Sequence, residues 1–170
     1  EFRRVFFRSV IAAVGLIDDM RRIGPLSKYL GQFLAAMIAV WSGDIFLQLD
    51  LPFLGRLAIY PLGTVGWVIG AVMAVLWLTG FSNMFNFMDG IDGLAGGSGM
   101  IYSLALAIVC LWTGHRLLSA GSILLAASCL GFLLHNFPPA RIFMGDVGSL
   151  FIGYVLAAFA LLTTNSGVRP

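Results

Sequence analysis

Four long apolar runs, residues 64–81, 94–113, 117–134 and 149–164, decide what this chain can become. Each is close to the ~20 residues an α-helix needs to cross a hydrocarbon core about 30 Å thick. A backbone in that medium must satisfy its own hydrogen bonds, so each run is predicted to be a transmembrane helix. Composition agrees: 59% of the residues are hydrophobic and 11% are charged, with a mean hydropathy of +0.96. The net charge of +2 comes from scattered basic residues and argues against a nucleic-acid partner. Cys110 and Cys129 fall inside apolar runs and read as small buried hydrophobes.

Before these runs, residues 5–17 are apolar apart from Arg8 and Ser9, and read as the last part of a helix that ends at Asp18-Asp19. Gly24-Pro25 then break the chain, Ser27 can cap, and a helix is expected from about 29 to 46. Residues 45–62 alternate around Pro52-Phe-Leu-Gly55 and predict a small β-hairpin on the membrane face. Trp41, Trp67, Trp77, Trp112 and Tyr154 suit interfacial or lipid-facing positions. The expected fold is an all-α polytopic transmembrane helix bundle of about six helices, the first truncated, with an extracytoplasmic β-hairpin. The chain opens without Met or a signal-peptide pattern, so residues 1–170 read as an internal piece of one longer integral-membrane domain.

Between two apolar runs, Asn83, Asn86, Asp89 and Asp92 recur every third residue. On a helix that spacing aligns two amides and two carboxylates into one polar stripe where a membrane helix ends. Gly90, Gly93, Gly96 and Gly97 follow, and glycines permit the close approach of backbone to ligand that phosphate-handling loops require. Carboxylates beside such a loop suggest a divalent cation and a phosphorylated substrate; the plainer alternative is a polar cap with a flexible joint. In the segment His135–Ser149, Pro138-Pro139 stop the preceding helix. Gly145 and Gly148 bracket Asp146, leaving its carboxylate beside exposed backbone N–H groups at the start of the last helix, as a metal ligand or an N-cap.

Because each spanning helix moves the chain across the bilayer, parity puts Asp18, Asp19, Asp89, Asp92 and Asp146 on one face, with Asp44 and Asp50 opposite. Three separated segments thus converge on a composite surface site. Basic residues lean weakly towards that face being cytoplasmic. A cation transporter, the rival reading, predicts acids near the bilayer midplane rather than at helix ends.

Three motifs in order, Gly15-Leu-Ile-Asp18-Asp19, Asn83-Met-Phe-Asn86-Phe-Met-Asp89-Gly-Ile-Asp92-Gly-Leu-Ala and Asn136-Phe-Pro-Pro-Ala-Arg-Ile-Phe-Met-Gly-Asp146-Val-Gly-Ser, cover nearly the whole chain. Together they resemble the polyprenyl-phosphate N-acetylhexosamine-1-phosphate transferases (glycosyltransferase family 4), which include the phospho-MurNAc-pentapeptide transferases. The wording is most similar to the branch that initiates O-antigen and related polysaccharides. The resemblance implies Mg2+, with Mn2+ as a substitute, held by Asp146. It implies that Asp18 and Asp19 handle the prenyl phosphate, and that Asp89 joins them among the catalytic carboxylates. Asn83, Asn86, Asp89, Asp92 and Asn136 line a nucleotide-sugar pocket, and Phe143 stacks on uracil. Lys28 resembles the family's basic residue on the next helix, or is a snorkelling lysine; His135 reads as a helix-end residue. The implied reaction is attack of a polyprenyl (undecaprenyl) phosphate on a UDP-N-acetyl-sugar, releasing UMP. It would run on the cytoplasmic face of a bacterial inner membrane, and a homodimer is compatible with it.

Overall fold

A computed structural model describes residues 11–13, 15–17, 19–20, 24–51 and 55–165. Asp18 and the hairpin tip at 52–54 lie outside the described residues. The first described residues are helical and include Asp19. Five complete helices follow: α1 (Pro25–Trp41), α2 (Gly63–Met88), α3 (Leu94–Trp112), α4 (Arg116–Asn136) and α5 (Gly145–Thr164). Between α1 and α2, β1 (Gln48–Leu51) and β2 (Gly55–Ala58) pair antiparallel, with Asp50 opposite Arg56. The chain is therefore an all-α multi-pass membrane bundle carrying one small hairpin. Helices α2 to α5 are long and apolar enough to cross a bilayer, and α1, at 17 residues, is shorter.

The helix limits follow from local chemistry. Helix α1 begins at Pro25, where a missing N–H costs nothing, and so starts earlier than the sequence predicts. It stops at Trp41 because Gly43 turns into the left-handed region at φ +91° and redirects the chain into β1. Helix α2 continues to Met88, past the end of its apolar run near Phe81 and along the polar stripe expected from the spacing of Asn83, Asn86 and Asp89. The amides of Asn83 and Asn86 find partners on neighbouring helices, so neither ends the helix.

Helix α5 is the centre of the bundle: Ser149, Leu150, Ile152 to Ala157, Phe159, Leu161 and Thr163 are all buried. Ile11, Ala35, Ala36, Ala39, Leu78, Leu150, Tyr154 and Ala157 form one core cluster that joins the first helical residues, α1, α2 and α5. Tyr154 is thus a core residue rather than a lipid-facing one, its hydroxyl donating to Ala35 O at 3.3 Å. Helices α3 and α4 pack on each other through small residues; a Cβ on Gly99 would lie 3.1 Å from Cys129 Sγ. Both cysteines are free and buried. Where α5 ends, Asn165 Oδ1 accepts from Leu47 N at 3.0 Å and Gln48 donates to Thr164 O at 2.7 Å, which anchors the hairpin to the bundle. The polar site lies at the opposite end of α5.

Candidate functional site

Four segments meet at the start of α5. Helices α2 and α5 run antiparallel, and Gly153 lets them approach: a Cβ there would lie 2.8 Å from both Phe81 O and Ser82 Cα. One turn further along α2 stands Asn86, and one and two turns back along α5 stand Ser149 and Asp146. Asn86 Nδ2 donates to Asp146 Oδ1 at 2.6 Å and to Ser149 Oγ at 3.0 Å. Its Oδ1 accepts from Lys28 Nζ at 3.0 Å, and Lys28 also forms an ion pair with Asp146. Lys28 therefore turns into the site and towards a carboxylate rather than outward to an interface. Its side chain is 17% exposed and that of Asp146 22%, so the pair is poorly screened by solvent.

The first helical residues dock by two devices one turn apart. A Cβ on Gly15 would lie 2.6 Å from Val147 Cα, so this glycine lets the backbones touch. Asp19 then accepts from the N–H groups of Asp146 at 3.0 Å and Val147 at 3.2 Å. The sequence leaves these N–H groups exposed beside the Asp146 carboxylate. In the structure a carboxylate from a distant segment takes them, since a negative charge suits both the unpaired donors and the positive end of the helix dipole. Gly145 makes room for it: its φ is +68°, and a Cβ would lie 2.8 Å from Asp19 Oδ2.

Asp89 caps the C-terminus of α2 and is half-buried. Burial pushes its carboxyl from 3.8 up to about 6, and the Asp146 and Asp19 carboxylates push the same way, against a hydrogen bond from the Gly145 backbone. Three carboxylates from three distant segments are thus close enough to feel one another. The predicted stripe covers Asn83, Asn86 and Asp89 only. Helix α2 ends at Met88, so exposed Asp92 falls in the turn before α3 and its Oδ2 accepts from Ala140 N at 3.0 Å. Asn136, 4% exposed, ties the same two loops: its Oδ1 accepts from Gly93 N at 2.9 Å and its Nδ2 donates to Ile142 O at 2.8 Å. Phe143, 77% exposed, stands next to that tie. His135 is exposed in the last turn of α4.

Of the four glycines read as permitting turns, Gly90 and Gly93 lie in the turn before α3, while Gly96 and Gly97 lie inside α3, within the run predicted to be helical. Gly93, at φ +75°, is the N-cap of α3, and Gly96 lies within α3, where a Cβ would come 3.1 Å from Phe132. Sequence reading assigns no role to Gln32, which exchanges amide hydrogen bonds with Asn83, or to Ser149, the last residue of the third motif. Both are neutral residues in apolar helices, where no charge marks their partners. Among the described residues no group of three or more Asp, Glu, His or Cys is placed to hold a metal ion. The carboxylates of Asp146 and Asp89 nevertheless suit a hard cation such as Mg2+, which keeps several waters and takes one or two carboxylates plus substrate phosphate.

An apolar bundle with carboxylates, amides and one lysine gathered at the end of its central helix defines a membrane protein with a polar site at one surface. Residues 4–164 match the family described as glycosyl transferase family 4, and the chain belongs to that family. It is 37% identical over 153 residues (90% of this chain, 41% of the relative) to a Bacillus subtilis protein named a probable undecaprenyl-phosphate N-acetylglucosaminyl 1-phosphate transferase. It is 39% identical over 172 residues (94% and 40%) to the Mycobacterium leprae decaprenyl-phosphate N-acetylglucosaminephosphotransferase. Over 136 residues (78% and 40%) it is 44% identical to the phospho-N-acetylmuramoyl-pentapeptide-transferase of Chlamydia muridarum. The chain thus spans about 40% of the length of these relatives.

Proposed function

We propose that this protein transfers an N-acetyl-sugar-1-phosphate from a UDP-sugar to a polyprenyl phosphate, releasing UMP and starting a lipid-linked glycan. The observation that carries this is the convergence of Asp19, Asp89 and Asp146, from three distant segments, with Lys28 at one end of a membrane bundle. The relatives' names support the reaction type and the prenyl acceptor. The acids stand at helix ends, which suits surface chemistry better than the transporter reading does.

Chemically, an oxygen of the lipid phosphate attacks the sugar-linked phosphorus, the bond from that phosphorus to the bridging oxygen breaks, and UMP leaves with the electron pair. Both reactants are anions, so positive charge must be supplied at the reacting phosphates. Mg2+ held by Asp146, with Asn86 and Asp89 beside it, would supply Lewis-acid neutralisation of the leaving phosphate. Lys28 adds a fixed ammonium at the same place. Asn86 orients the Asp146 carboxylate, and Asp19 fixes the α5 start from which Asp146 projects. In this reading Asp18 positions the lipid phosphate, which is already largely ionised at neutral pH. Asp92 and Asn136 hold the loop that offers Phe143 to the uracil ring. The polar end faces the cytoplasm, where nucleotide sugars are supplied.

The test is an assay of the full-length protein in membranes with undecaprenyl phosphate and a panel of UDP-N-acetyl-sugars. UMP release that requires both lipid and divalent cation is expected with at least one sugar. Release undiminished by excess EDTA, or none with any sugar, would contradict the proposal.

A further inference from the structure

Below the Lys28–Asn86 contact the same two helices carry a second polar rung. Gln32 stands one turn after Lys28 on α1, and Asn83 one turn before Asn86 on α2, so both rungs lie on facing sides of an antiparallel pair. Gln32 is 1% exposed. Its Nε2 donates to Asn83 Oδ1 at 3.3 Å, its Oε1 accepts from Asn83 Nδ2, and Asn83 Nδ2 also donates to Thr79 O at 2.8 Å.

The rest of the buried face of α1 is made mostly of small residues. Ala35, Ala36 and Ala39, exposed by 0%, 0% and 4%, cluster with Leu78 and Tyr154, and Val40, at 5%, clusters with Ala71 and Ala74 at the far end. Alanine methyl groups are short knobs that by themselves resist sliding and rotation of one helix on the other only weakly. Two amides with complementary ends resist both strongly, because either displacement leaves buried donors and acceptors unmade in an apolar medium. Neither amide lies among the acids, and charge balance at the site does not require them.

We infer that Gln32 is a positioning residue: through its paired amides with Asn83 it sets the register of α1 on α2, and that register holds Lys28 against Asn86 and Asp146. The catalytic consequence rests on the transferase reading above; the structural one does not. Asn83 acts in the same brace.

The experiment uses the full-length protein in detergent with the variants Gln32→Leu, Gln32→Asn and the exchange Gln32→Asn/Asn83→Gln, which restores one long and one short amide. Acylation of Lys28 by sulfo-N-hydroxysuccinimide acetate is followed by mass spectrometry of its peptide, alongside turnover with UDP-N-acetylglucosamine and undecaprenyl phosphate. Each single variant is expected to label Lys28 about fivefold faster and to lose about tenfold in kcat with KM within about twofold, and the exchange variant to recover both. Where Gln32→Leu does not fold, Gln32→Asn carries the comparison. A folded single variant whose Lys28 labels at the wild-type rate overturns the inference, even if turnover falls. Altered labelling in a protein that transfers no sugar phosphate would uphold the brace and reject the transferase reading.

Discussion

Asp89 carries an electrostatic cost that a merely structural cap would not need. Its carboxyl is raised from 3.8 to about 6, first by burial and then by Asp146 and Asp19. For an acid, a raised folded-state value means that the folded chain holds the proton more tightly than the unfolded one. The stability this contributes is fully present below about 3.8 and is lost as pH rises through about 6. Asp89→Asn is therefore expected to melt about 2 °C above wild type at pH 8, the effect being small because the group is half-exposed, and to lose that advantage at pH 4. Thermal unfolding in detergent at the two pH values checks it, and equal melting at pH 8 would count against the crowded carboxylates. Asp146→Asn keeps the shape and its hydrogen bond to Asn86 but loses charge, so turnover should fall about 100-fold or more with the amount of folded protein unchanged. The charged and amide residues of this site were legible in the sequence because such groups are expensive beside a bilayer. The roles of Gln32 and Ser149 were not, since a single neutral polar residue in an apolar helix gives no sign of which neighbour it will meet.

Helix-to-helix distance controls whether these groups meet. At the site end of the bundle Gly153 and Gly15 are points where backbones touch, one setting α5 against α2 and the other setting the first helical residues against α5. A methyl group at Gly153 would fall 2.8 Å from α2 backbone, which has no flexible side chain to yield. Gly153→Ala should therefore separate α2 from α5 and destabilise the bundle by about 1–3 kcal/mol, in spite of alanine's better helix propensity. Denaturant unfolding of the two proteins checks this, and an alanine variant as stable as wild type would show that the helices are not held so closely. Sequence periodicity and length were enough to find the spanning helices and the hairpin. The apolar run ended near Phe81, but the polar stripe of Asn83, Asn86 and Asp89 marked the helix beyond it; Asp92 alone fell off that stripe, because the helix ends at Met88 and the chain turns before α3. Sequence reading counted Gly96 both in the run 94–113 and among the loop-permitting glycines, because a glycine for packing and a glycine for turning look the same in one dimension; it lies inside α3.

The whole molecule places its acids by parity. Asp19, Asp89, Asp92 and Asp146 lie at one end of the bundle, and Asp44 and the hairpin with Asp50 lie at the other. Counting spans gave this division in advance, whereas the contacts that knit it, such as Asp19 on the start of α5, link residues 127 positions apart and leave no local trace. If nucleotide sugars reach the site, that end must face the cytoplasm. The most direct measurement is labelling of single cysteines by an impermeant thiol reagent on intact cells, in a full-length protein whose own cysteines, Cys110 and Cys129 included, have been replaced. Gly90→Cys and Arg141→Cys should stay unlabelled until the membrane is permeabilised, while Tyr60→Cys and Thr113→Cys should label at once. If Gly90→Cys and Arg141→Cys responded differently from each other, Asp89 and Asp146 would lie on opposite sides of the membrane, and no composite site could form.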